Sequence, residues 1–423
     1  MRRFLYLLRL SGQSAWNRKG TLTMVVLAVA LSTALLLGIE RIRAQTRESF
    51  RQSVSGTDLI VGARGSPLQL LLYAIFHLGG AAAEMSWDSA QQIASGRDLA
   101  WSIPLALGDS HKGYPVVATS ADFFRHYRYR RGESLRFALG GEFRDLFDLV
   151  LGAEAAQKLG YREGSVLTLA HGSGGSALSE HADKPFVVAG VLQPTGTPVD
   201  RALYISLEAM EAIHLDWQGG APVPGFQVRA DQARKFNLTP KRITALLLGL
   251  KNRGRVFALQ RQVNEYPQEA LMGVMPGVAL DQLWSLIGMG EKILLLVSAM
   301  VTLAGLLGLA SAILAGLGER RRELAILRSA GAGPLDIVIL LACEGLLLML
   351  CGILAGSAAI ALLILFLGPF LADNYGIALY LSPPQAREWL LLGGILAAGL
   401  LAGLIPALRA YRLSLADGLT VST

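Results

Sequence analysis

Four long apolar stretches constrain the fold of this 423-residue chain more than any other feature. They run from about Thr21 to Ile39, Met289 to Leu317, Leu335 to Leu367 and Trp389 to Leu408. A helix needs about 20 apolar residues to cross a bilayer, and each stretch is close to that length or longer. Since 52% of the residues are hydrophobic, the chain is too apolar for an ordinary soluble enzyme. The sequence therefore predicts an α-helical membrane protein with four transmembrane helices.

Basic residues predict the orientation of these helices. Arginine and lysine are concentrated in residues 1–20, in the short segment 318–334 and in residues 409–423. Four spans place these three segments on one side of the membrane, and the positive-inside rule makes that side the cytoplasm. The opposite short loop, residues 368–388, has only Arg387 as a basic residue. We therefore expect both termini in the cytoplasm.

The first 39 residues leave two questions open, namely the kind of helix formed by residues 1–20 and whether the first apolar stretch is cleaved. Residues 1–20 place Phe4, Leu5 and Trp16 among basic residues, which favours an amphipathic helix on the inner leaflet over a simple extension of the first span. The stretch 21–39 is long for a cleaved signal peptide. Cleavage would also leave three spans and put segment 318–334 opposite the C-terminus, so we expect an uncleaved anchor.

Residues 40–288 are expected to form a large mixed α+β extracytoplasmic domain with a helical stalk, since about 250 residues can bury one or two cores. The predicted strands are Asp58–Ala63, Tyr114–Thr119, Val166–Ala170, Phe186–Val191, Ala202–Ile205 and Gly225–Arg229. The predicted helices are Ser86–Ala94, Ala153–Leu159, Leu207–His214 and Pro240–Gly249, and Thr239–Trp284 is expected to be mostly helical. The apolar segment Ser66–Phe76 is too short to span a membrane. Burial in a core is favoured over a surface that handles a hydrophobic cargo.

Several kinds of chemistry are absent from the sequence. It has no G-x-x-x-x-G-K-[ST] phosphate loop, no H-E-x-x-H motif, no G-x-S-x-G elbow and no cysteine-pair metal site. Its two cysteines, Cys343 and Cys351, both lie in one apolar stretch. The net charge of +7 indicates contact with anionic membrane lipids rather than with nucleic acid. We expect no catalytic residues and no cofactor bound by this chain.

One constellation suggests metal binding. His181 and Asp183 share their spacing with His214 and Asp216, and His171 lies near the first pair. Imidazole and carboxylate groups are ligands for divalent metals such as zinc. The alternative is that these are ordinary polar loop residues and helix caps, and the sequence alone does not bring the two pairs together.

Several segments resemble the FtsX/MacB-type ABC transporter permeases, which include the lipoprotein-releasing subunits. Glu319–Ala332 is similar to the family signature E-R-x-x-E-[IL]-[AG]-[IL]-[LM]-[RK]-[AS]-[LI]-G-A. Ile405–Leu419 resembles the family ending P-A-x-x-A-x-x-x-x-P-x-x-x-L, with Leu415 where proline is usual. Leu151–Gly160, Gly164 and Pro194–Arg201 resemble the periplasmic core domain. MacB carries an N-terminal ATPase domain that is not among these residues, so the resemblance is to the split-subunit members.

The resemblance implies a permease in the bacterial inner membrane that works with a separate ABC ATPase, on which ATP and Mg would bind. It also implies a homodimer or a paralogous heterodimer, with a periplasmic adaptor or substrate-binding protein as a further partner. ATP-driven motion would pass through the second span to the periplasmic domain and move a hydrophobic, lipid, lipoprotein or peptide cargo. Alternatives are an FtsX-like scaffold that activates a cell-wall hydrolase, metal-related transport, and a membrane sensor without an ATPase.

The resemblance makes segment 318–334 the coupling helix for the ATPase. The residues expected to make this contact are Glu319, Arg320, Arg322, Glu323, Ala325, Ile326, Leu327, Arg328 and Gly331. Acidic and basic side chains would orient the helix, the apolar ones would fill a groove, and Gly331 would end the helix. The alternative is a basic loop that only sets topology. Glu344, in the third span, is an intramembrane carboxylate and a further functional candidate.

Overall fold

The computed structural model describes residues 19–53, 56–79, 83–130, 132–172, 181–218, 221–319, 329, 331, 333–375 and 381–412. The chain divides into two compact units, one of Arg47–Leu286 and one of Met1–Thr46 with Ile287–Thr423. In the described residues, the first unit is mixed α/β and the second is helical. Within the described part of the chain, four helices are long and apolar enough to cross a membrane. The predicted fold class is therefore confirmed.

The regular elements have the following bounds. The α-helices are α1 Lys19–Ser53, α2 Pro67–Phe76, α3 Trp87–Ala94, α4 Asp122–His126, α5 Ala153–Leu159, α6 Leu207–Ile213, α7 Ala230–Ala233, α8 Val256–Asn264, α9 Pro276–Glu319, α10 Pro334–Tyr375 and α11 Ala386–Arg412. The strands are β1 Leu59–Ala63, β2 Met85–Ser86, β3 Leu99–His111, β4 Tyr114–Thr119, β5 Arg128–Tyr129, β6 Glu133–Ser134, β7 Phe137–Gly140, β8 Asp148–Leu151, β9 Val166–Leu167, β10 Ala170–His171, β11 Phe186–Leu192, β12 Leu203–Ser206, β13 Trp217–Gln218, β14 Ala221–Pro222, β15 Arg242–Ile243, β16 Ala245–Leu250 and β17 Leu271–Val274. Pro198–Arg201 and Arg253–Arg255 are short 3₁₀ helices.

A large mixed sheet forms the centre of the α/β unit. Its strand order is β17-β1-β16-β3-β4-β12-β8-β11-β7, with β10 added to β3 and β9 added to β11. The pairs β4–β12 and β8–β11 are parallel, and the other pairs are antiparallel. The long strand β3 lies near the middle and carries β10 on its C-terminal part. This arrangement brings residues from distant parts of the sequence to one end of β3.

Both faces of the sheet are buried in apolar cores. Along β1, Leu59 and Val61 lie in one core, here called the first core, and Ile60 lies in the other, the second core. Along β16, Leu246 and Leu248 lie in the first core and Leu247 in the second. Successive side chains of a strand point to opposite faces, so a strand covered on both sides has an unbroken apolar sequence.

The apolar segment Ser66–Phe76 forms helix α2 and its N-cap, and the helix is packed in a core. The Ser66 side chain accepts a hydrogen bond from the Gln69 N–H, Pro67 begins the helix, and His77 ends it in the left-handed region with φ of 54°. Its buried residues pack in the second core, where Phe76 stacks on Phe50 at a centroid distance of 4.4 Å. The prediction that this segment is buried in a core is confirmed.

Three sequence predictions in the α/β unit are wrong. Pro240–Gly249, predicted as a helix, contains β15 and most of β16, because an apolar run buried on both faces shows no strand alternation. Thr239–Trp284 is accordingly not mostly helical, and it also contains β17. Gly225–Arg229, predicted as a strand, has no regular structure. There the Val228 N–H donates to the Asp216 carboxylate instead of to a neighbouring strand.

Small residues let the helices of the second unit pack closely. A Cβ added to Gly352 would lie 2.6 Å from Val29, and one added to Gly356 would lie 2.4 Å from the carbonyl oxygen of Ala30. These two glycines of α10 therefore let α1 approach at backbone distance, as in small-residue packing of membrane helices. The apolar spans within the four helices are Leu22–Ser53, Gly288–Ser311, Leu335–Phe370 and Ala386–Ile405.

Candidate functional site

The strongest cluster of chemically active side chains lies at the end of β3. Asp109 of β3 and His171 of β10 face each other directly across the antiparallel pair. Their side chains meet, with 3.0 Å between His171 Nδ1 and Asp109 Oδ1. The two residues are 62 positions apart in sequence (171 − 109), so only the sheet pairing brings them together.

Two further histidines complete the cluster. His214 caps the C-terminal end of α6, and its Nε2 lies 3.5 Å from Asp109 Oδ1 and 3.0 Å from His171 Nδ1. His181 is anchored by its backbone N–H, which donates to the Leu169 carbonyl. Its Nε2 lies 3.8 Å from Asp109 Oδ2. One ligand atom from each of the four residues lies within 4.8 Å of the other three.

The surroundings hold these rings in place. The His214 Nδ1 lies 2.8 Å from the Met210 carbonyl oxygen, an acceptor to which only a protonated Nδ1 can donate. The Trp217 ring packs on His181 at a centroid distance of 4.2 Å and on His171 at 5.6 Å. The side chains of Asp109 and His181 are both fully buried. The rings are therefore held in fixed positions, with Asp109 and His181 buried and His171 and His214 partly exposed.

The protonation of the cluster follows from burial and from its single carboxylate. Burial alone would raise the pKa of Asp109, but contacts with His171 and His214, with the nearby His181, lower it to about 2. Burial lowers the pKa of His181 to about 4, against the attraction of Asp109. Burial also acts to lower the pKa of His214, but its contact with Asp109 outweighs this and raises it. Near neutral pH, Asp109 is thus charged and His181 is neutral.

Asp183 and Asp216, which the sequence suggested as metal ligands with the histidines, belong to a different group. Both surround the fully buried ammonium of Lys184. Lys184 Nζ donates to Asp183 Oδ2 at 2.9 Å and to both oxygens of Asp216 at 2.8 and 3.0 Å. Burial acts to raise the pKa of Asp216, but the Lys184 ammonium and the Val228 N–H lower it overall. The Lys184 ammonium holds these two carboxylates in ion pairs, apart from the histidines.

Asp109 is the member of the cluster that sequence reasoning missed. It lies in β3, which was not predicted as a strand because Pro104 and Gly108 are residue types unfavourable inside strands. The sequence does contain one signal, because Gly108-Asp109-Ser110-His111 is a polar run that ends an apolar strand. The adjacent His111 is not part of the cluster, and its ring lies between the Thr168 carbonyl and the Tyr161 hydroxyl.

Most of the predicted ATPase-coupling residues lie outside the described residues. These are Arg320, Arg322, Glu323, Ala325, Ile326, Leu327 and Arg328. Residues 1–18 of the predicted amphipathic segment 1–20 also lie outside the described residues. Glu319 is the last residue of α9. Gly331 has a φ of +95°, a conformation that favours glycine. Glu344 of α10 is 4% exposed.

The helical unit contains a network of charged side chains just after the apolar stretch Thr21–Ile39 of α1. Arg43 donates two hydrogen bonds to Glu40, at 2.7 and 3.2 Å, and Arg387 lies 3.5 Å from the same carboxylate. Arg41 donates to Glu388 at 3.1 Å. Glu40, Arg41 and Glu388 are buried. The network links α1 to α11, and removal of one partner from such a pair leaves a buried charge uncompensated.

Comparison with known proteins identifies relatives for most of the chain. Residues 20–246 match the family model described as the MacB-like periplasmic core domain, and residues 295–415 match the FtsX-like permease C-terminal model. No curated protein sequence matches the chain. The periplasmic region of MacB from Actinobacillus actinomycetemcomitans is a similar solved structure, with 11% identity and a TM-score of 0.34. It covers 55% of this chain and 94% of its own.

A second similar structure is the extracellular domain of the noncanonic ABC-type transporter YknZ from Gram-positive bacteria. It has 10% identity and a TM-score of 0.31, and it covers 52% of this chain and 99% of its own.

Proposed function

This chain belongs to the family of FtsX/MacB-type ABC transporter permeases, and from that premise we propose that it is the non-catalytic permease subunit of a transporter driven by a separate ATPase. The single observation that carries the proposal is the pair of family matches, which together extend over residues 20–246 and 295–415. The four apolar helices and the intervening α/β unit support it.

The distribution of charge supports an ATPase contact at segment 319–331. Arginine-rich segments before the first span, between the second and third spans and after the fourth span belong on the cytoplasmic side. The middle one has two acidic residues, Glu319 and Glu323, among its arginines, followed by the apolar run Ala325 to Leu327. The carboxylate at Glu319 and the apolar residues Ala325 to Leu327 would fit a cleft on a folded partner. In that position, nucleotide-driven motion of the ATPase would reach α9 directly.

The proposed cargo is handled by the α/β unit outside the membrane. The described part of the apolar spans buries Ser32, Thr33, Ser298 and Glu344, and also Ser53 and the ion-paired Glu40, Arg41 and Glu388. A few such groups do not make a hydrophilic channel through the bilayer. A hydrophobic, lipid, lipoprotein or peptide cargo moved at the outer face needs no such channel. The complex would contain two permease copies in the bacterial inner membrane, with an adaptor as a further partner.

Affinity purification from native membranes tests this function. We expect an ABC ATPase to co-purify with the wild-type chain, and Leu327→Asp to abolish its recovery because a charge would enter the apolar contact. Leu413→Asp makes the same chemical change in the C-terminal segment and should leave the ATPase bound. Equal membrane insertion of the three proteins, measured by quantitative immunoblot, is the control for folding.

Two outcomes would overturn the proposal. Recovery of no nucleotide-hydrolysing partner with the wild-type chain would remove the ATPase-driven function. Undiminished recovery with Leu327→Asp would place the contact away from segment 319–331.

A further inference from the structure

We propose that Asp109, His171, His181 and His214 bind one Zn²⁺ ion in a closed four-ligand site of the α/β unit. The inference is independent of the ATPase contact, because it rests only on side chains of the α/β unit.

The spacing of the ligand atoms is that of a tetrahedral metal site. Zinc–nitrogen and zinc–oxygen bonds are about 2.0–2.2 Å, which puts neighbouring ligand atoms of a tetrahedron roughly 3.3–3.6 Å apart. In the structure, His171 Nδ1 and His214 Nε2 are 3.0 Å apart, and Asp109 Oδ1 lies 3.0 and 3.5 Å from these two nitrogens. Asp109 Oδ2 lies 3.8 Å from His181 Nε2, and one ligand atom from each of the four residues lies within 4.8 Å of the others. Small adjustments of side-chain torsions bring these atoms to zinc-binding distances.

The cluster lacks the partners that its burial demands. Among the residues that the structure describes, neither carboxylate oxygen of Asp109 and neither ring nitrogen of His181 has a hydrogen-bond partner with acceptable geometry. Buried polar groups are normally hydrogen-bonded, and the ion-pair contacts of Asp109 with the histidines do not supply that geometry. A divalent cation would satisfy a carboxylate oxygen and the facing His181 nitrogen at once.

The histidine rings present lone pairs to the common centre. In its neutral form with the proton on Nδ1, where the Met210 carbonyl accepts it, His214 offers the lone pair of Nε2 toward Asp109 and His171. A metal-bound histidine commonly donates its other N–H to a carbonyl or carboxylate, which fixes the ring. The Trp217 ring restricts His181 and His171 in the same way by packing.

The three imidazoles and one carboxylate of the site favour zinc over calcium and magnesium. Calcium and magnesium prefer oxygen ligands, so three imidazoles exclude them. Three imidazoles and one carboxylate suit zinc, with four-coordinate tetrahedral geometry. A catalytic zinc site keeps one position open for water, whereas four protein ligands fill this one. The Lys184 ammonium nearby is paired with Asp183 and Asp216, so it adds little net repulsion toward a cation.

Metal binding to the purified full chain in detergent tests the site. After chelator treatment and dialysis, titration with ZnCl₂ against a chromogenic chelator should give about one Zn²⁺ per chain. Asp109→Asn and His171→Gln should each weaken binding by more than the roughly 10–100-fold that loss of an outer-shell group costs. Substitution with Co²⁺ should give the intense visible absorption of a tetrahedral ion. Zn²⁺ should also raise the thermal midpoint of the wild-type chain but not that of the two variants.

Two matched variants serve as controls. His126→Gln removes a partly exposed histidine that lies outside the cluster, and Asp183→Asn removes a carboxylate that binds Lys184 instead. Both should bind Zn²⁺ as the wild type does. His171 is partly exposed, so His171→Gln should keep the fold even if Asp109→Asn does not. Circular dichroism of the metal-free proteins checks this.

Three results would overturn the proposal. They are a wild-type chain that retains no Zn²⁺, a folded His171→Gln variant with undiminished affinity, and a Co²⁺ spectrum of a six-coordinate ion. In the first case, the cluster is a buried ion pair between Asp109 and a protonated histidine. Because none of the measurements involves the ATPase, their failure leaves the permease function standing.

Discussion

Lys184 is a charged residue with no contact with water, and its ammonium depends on Asp216 and Asp183 for compensation. A buried pair of this kind adds little net stability compared with an apolar replacement of both partners, but loss of one partner is strongly destabilising. Lys184 also separates the two aspartates from the neighbouring histidines. Its side chain therefore determines which carboxylate is left for the proposed metal site.

We expect Lys184→Met to destabilise the α/β unit by about 3–5 kcal/mol, because the Asp216 carboxylate would remain buried without a cation. For a unit of this size the thermal midpoint would fall by roughly 6–20 °C. Differential scanning fluorimetry of the full chain measures this. Asp183→Asn, at a carboxylate that is 20% exposed, should cost much less. The double variant Lys184→Met/Asp216→Asn should recover part of the loss, and a single variant as stable as wild type would contradict the argument.

The histidines of the candidate site were accessible to sequence reasoning, but their carboxylate was not. His171, His181 and His214 stand out as metal-binding residue types close to acidic residues. Which aspartate completes the cluster depends on the pairing of β10 with β3 and on the charge of Lys184. Spacing along the sequence favoured Asp183 and Asp216, since cross-strand neighbours 62 positions apart leave no local signal.

At the scale of elements, the predictions succeeded where a regular pattern of apolar residues is bounded by residues that end a helix or strand, such as glycine. Tyr114–Thr119 and Ala153–Leu159 have the predicted bounds, and the latter ends at Gly160 in the left-handed region with φ of 70°. They failed where burial on both faces removed the pattern, as in β16, or where breakers interrupted a strand, as in β3. The four membrane helices were visible because length and apolarity alone identify them.

Helix packing in the membrane unit supplies a prediction at this scale. Gly356→Val would place a side chain 2.4 Å from the Ala30 carbonyl oxygen and 2.7 Å from Thr33 Cβ, so α1 and α10 would have to separate. We expect a loss of about 1–3 kcal/mol, as for other overpacked sites, and a lower thermal midpoint of the purified chain. Gly393→Val is the matched control, since nothing among the described residues lies within 4 Å of its added Cβ. Equal effects of the two substitutions would argue against close packing at Gly356.

At the scale of the whole molecule, two helices continue from one compact unit into the other. The boundary after Thr46 falls within α1, and the boundary before Ile287 falls within α9. Helix α9 runs from Pro276 to Glu319 without interruption, which is about 66 Å at 1.5 Å per residue. The proposed function requires an element that passes motion from segment 319–331 to the α/β unit, and α9 is the proposed one.

The orientation of the whole chain is tested by cysteine labelling. In a Cys343→Ala/Cys351→Ala background, Lys235→Cys, at an exposed position of the α/β unit, should react with a membrane-impermeant maleimide in intact spheroplasts. Arg322→Cys should react only after the membrane is permeabilised. This result would place residues 40–288 outside and segment 318–334 in the cytoplasm, as the basic residues predict. The reverse labelling pattern would invert the topology and remove the proposed ATPase contact.

The location of β1 between β16 and β17 governs when the α/β unit is able to mature during biosynthesis. Leu59 pairs with Leu248, 189 positions later (248 − 59), and Ala63 pairs with Leu271. Chains emerge from their N-terminus at about 5–20 residues per second, so β1 waits on the order of 10 seconds or more for its neighbours. Throughout that interval its unpaired edges are open to wrong partners. The nascent α/β unit is therefore exposed to wrong strand pairing until β16 and β17 have been synthesised.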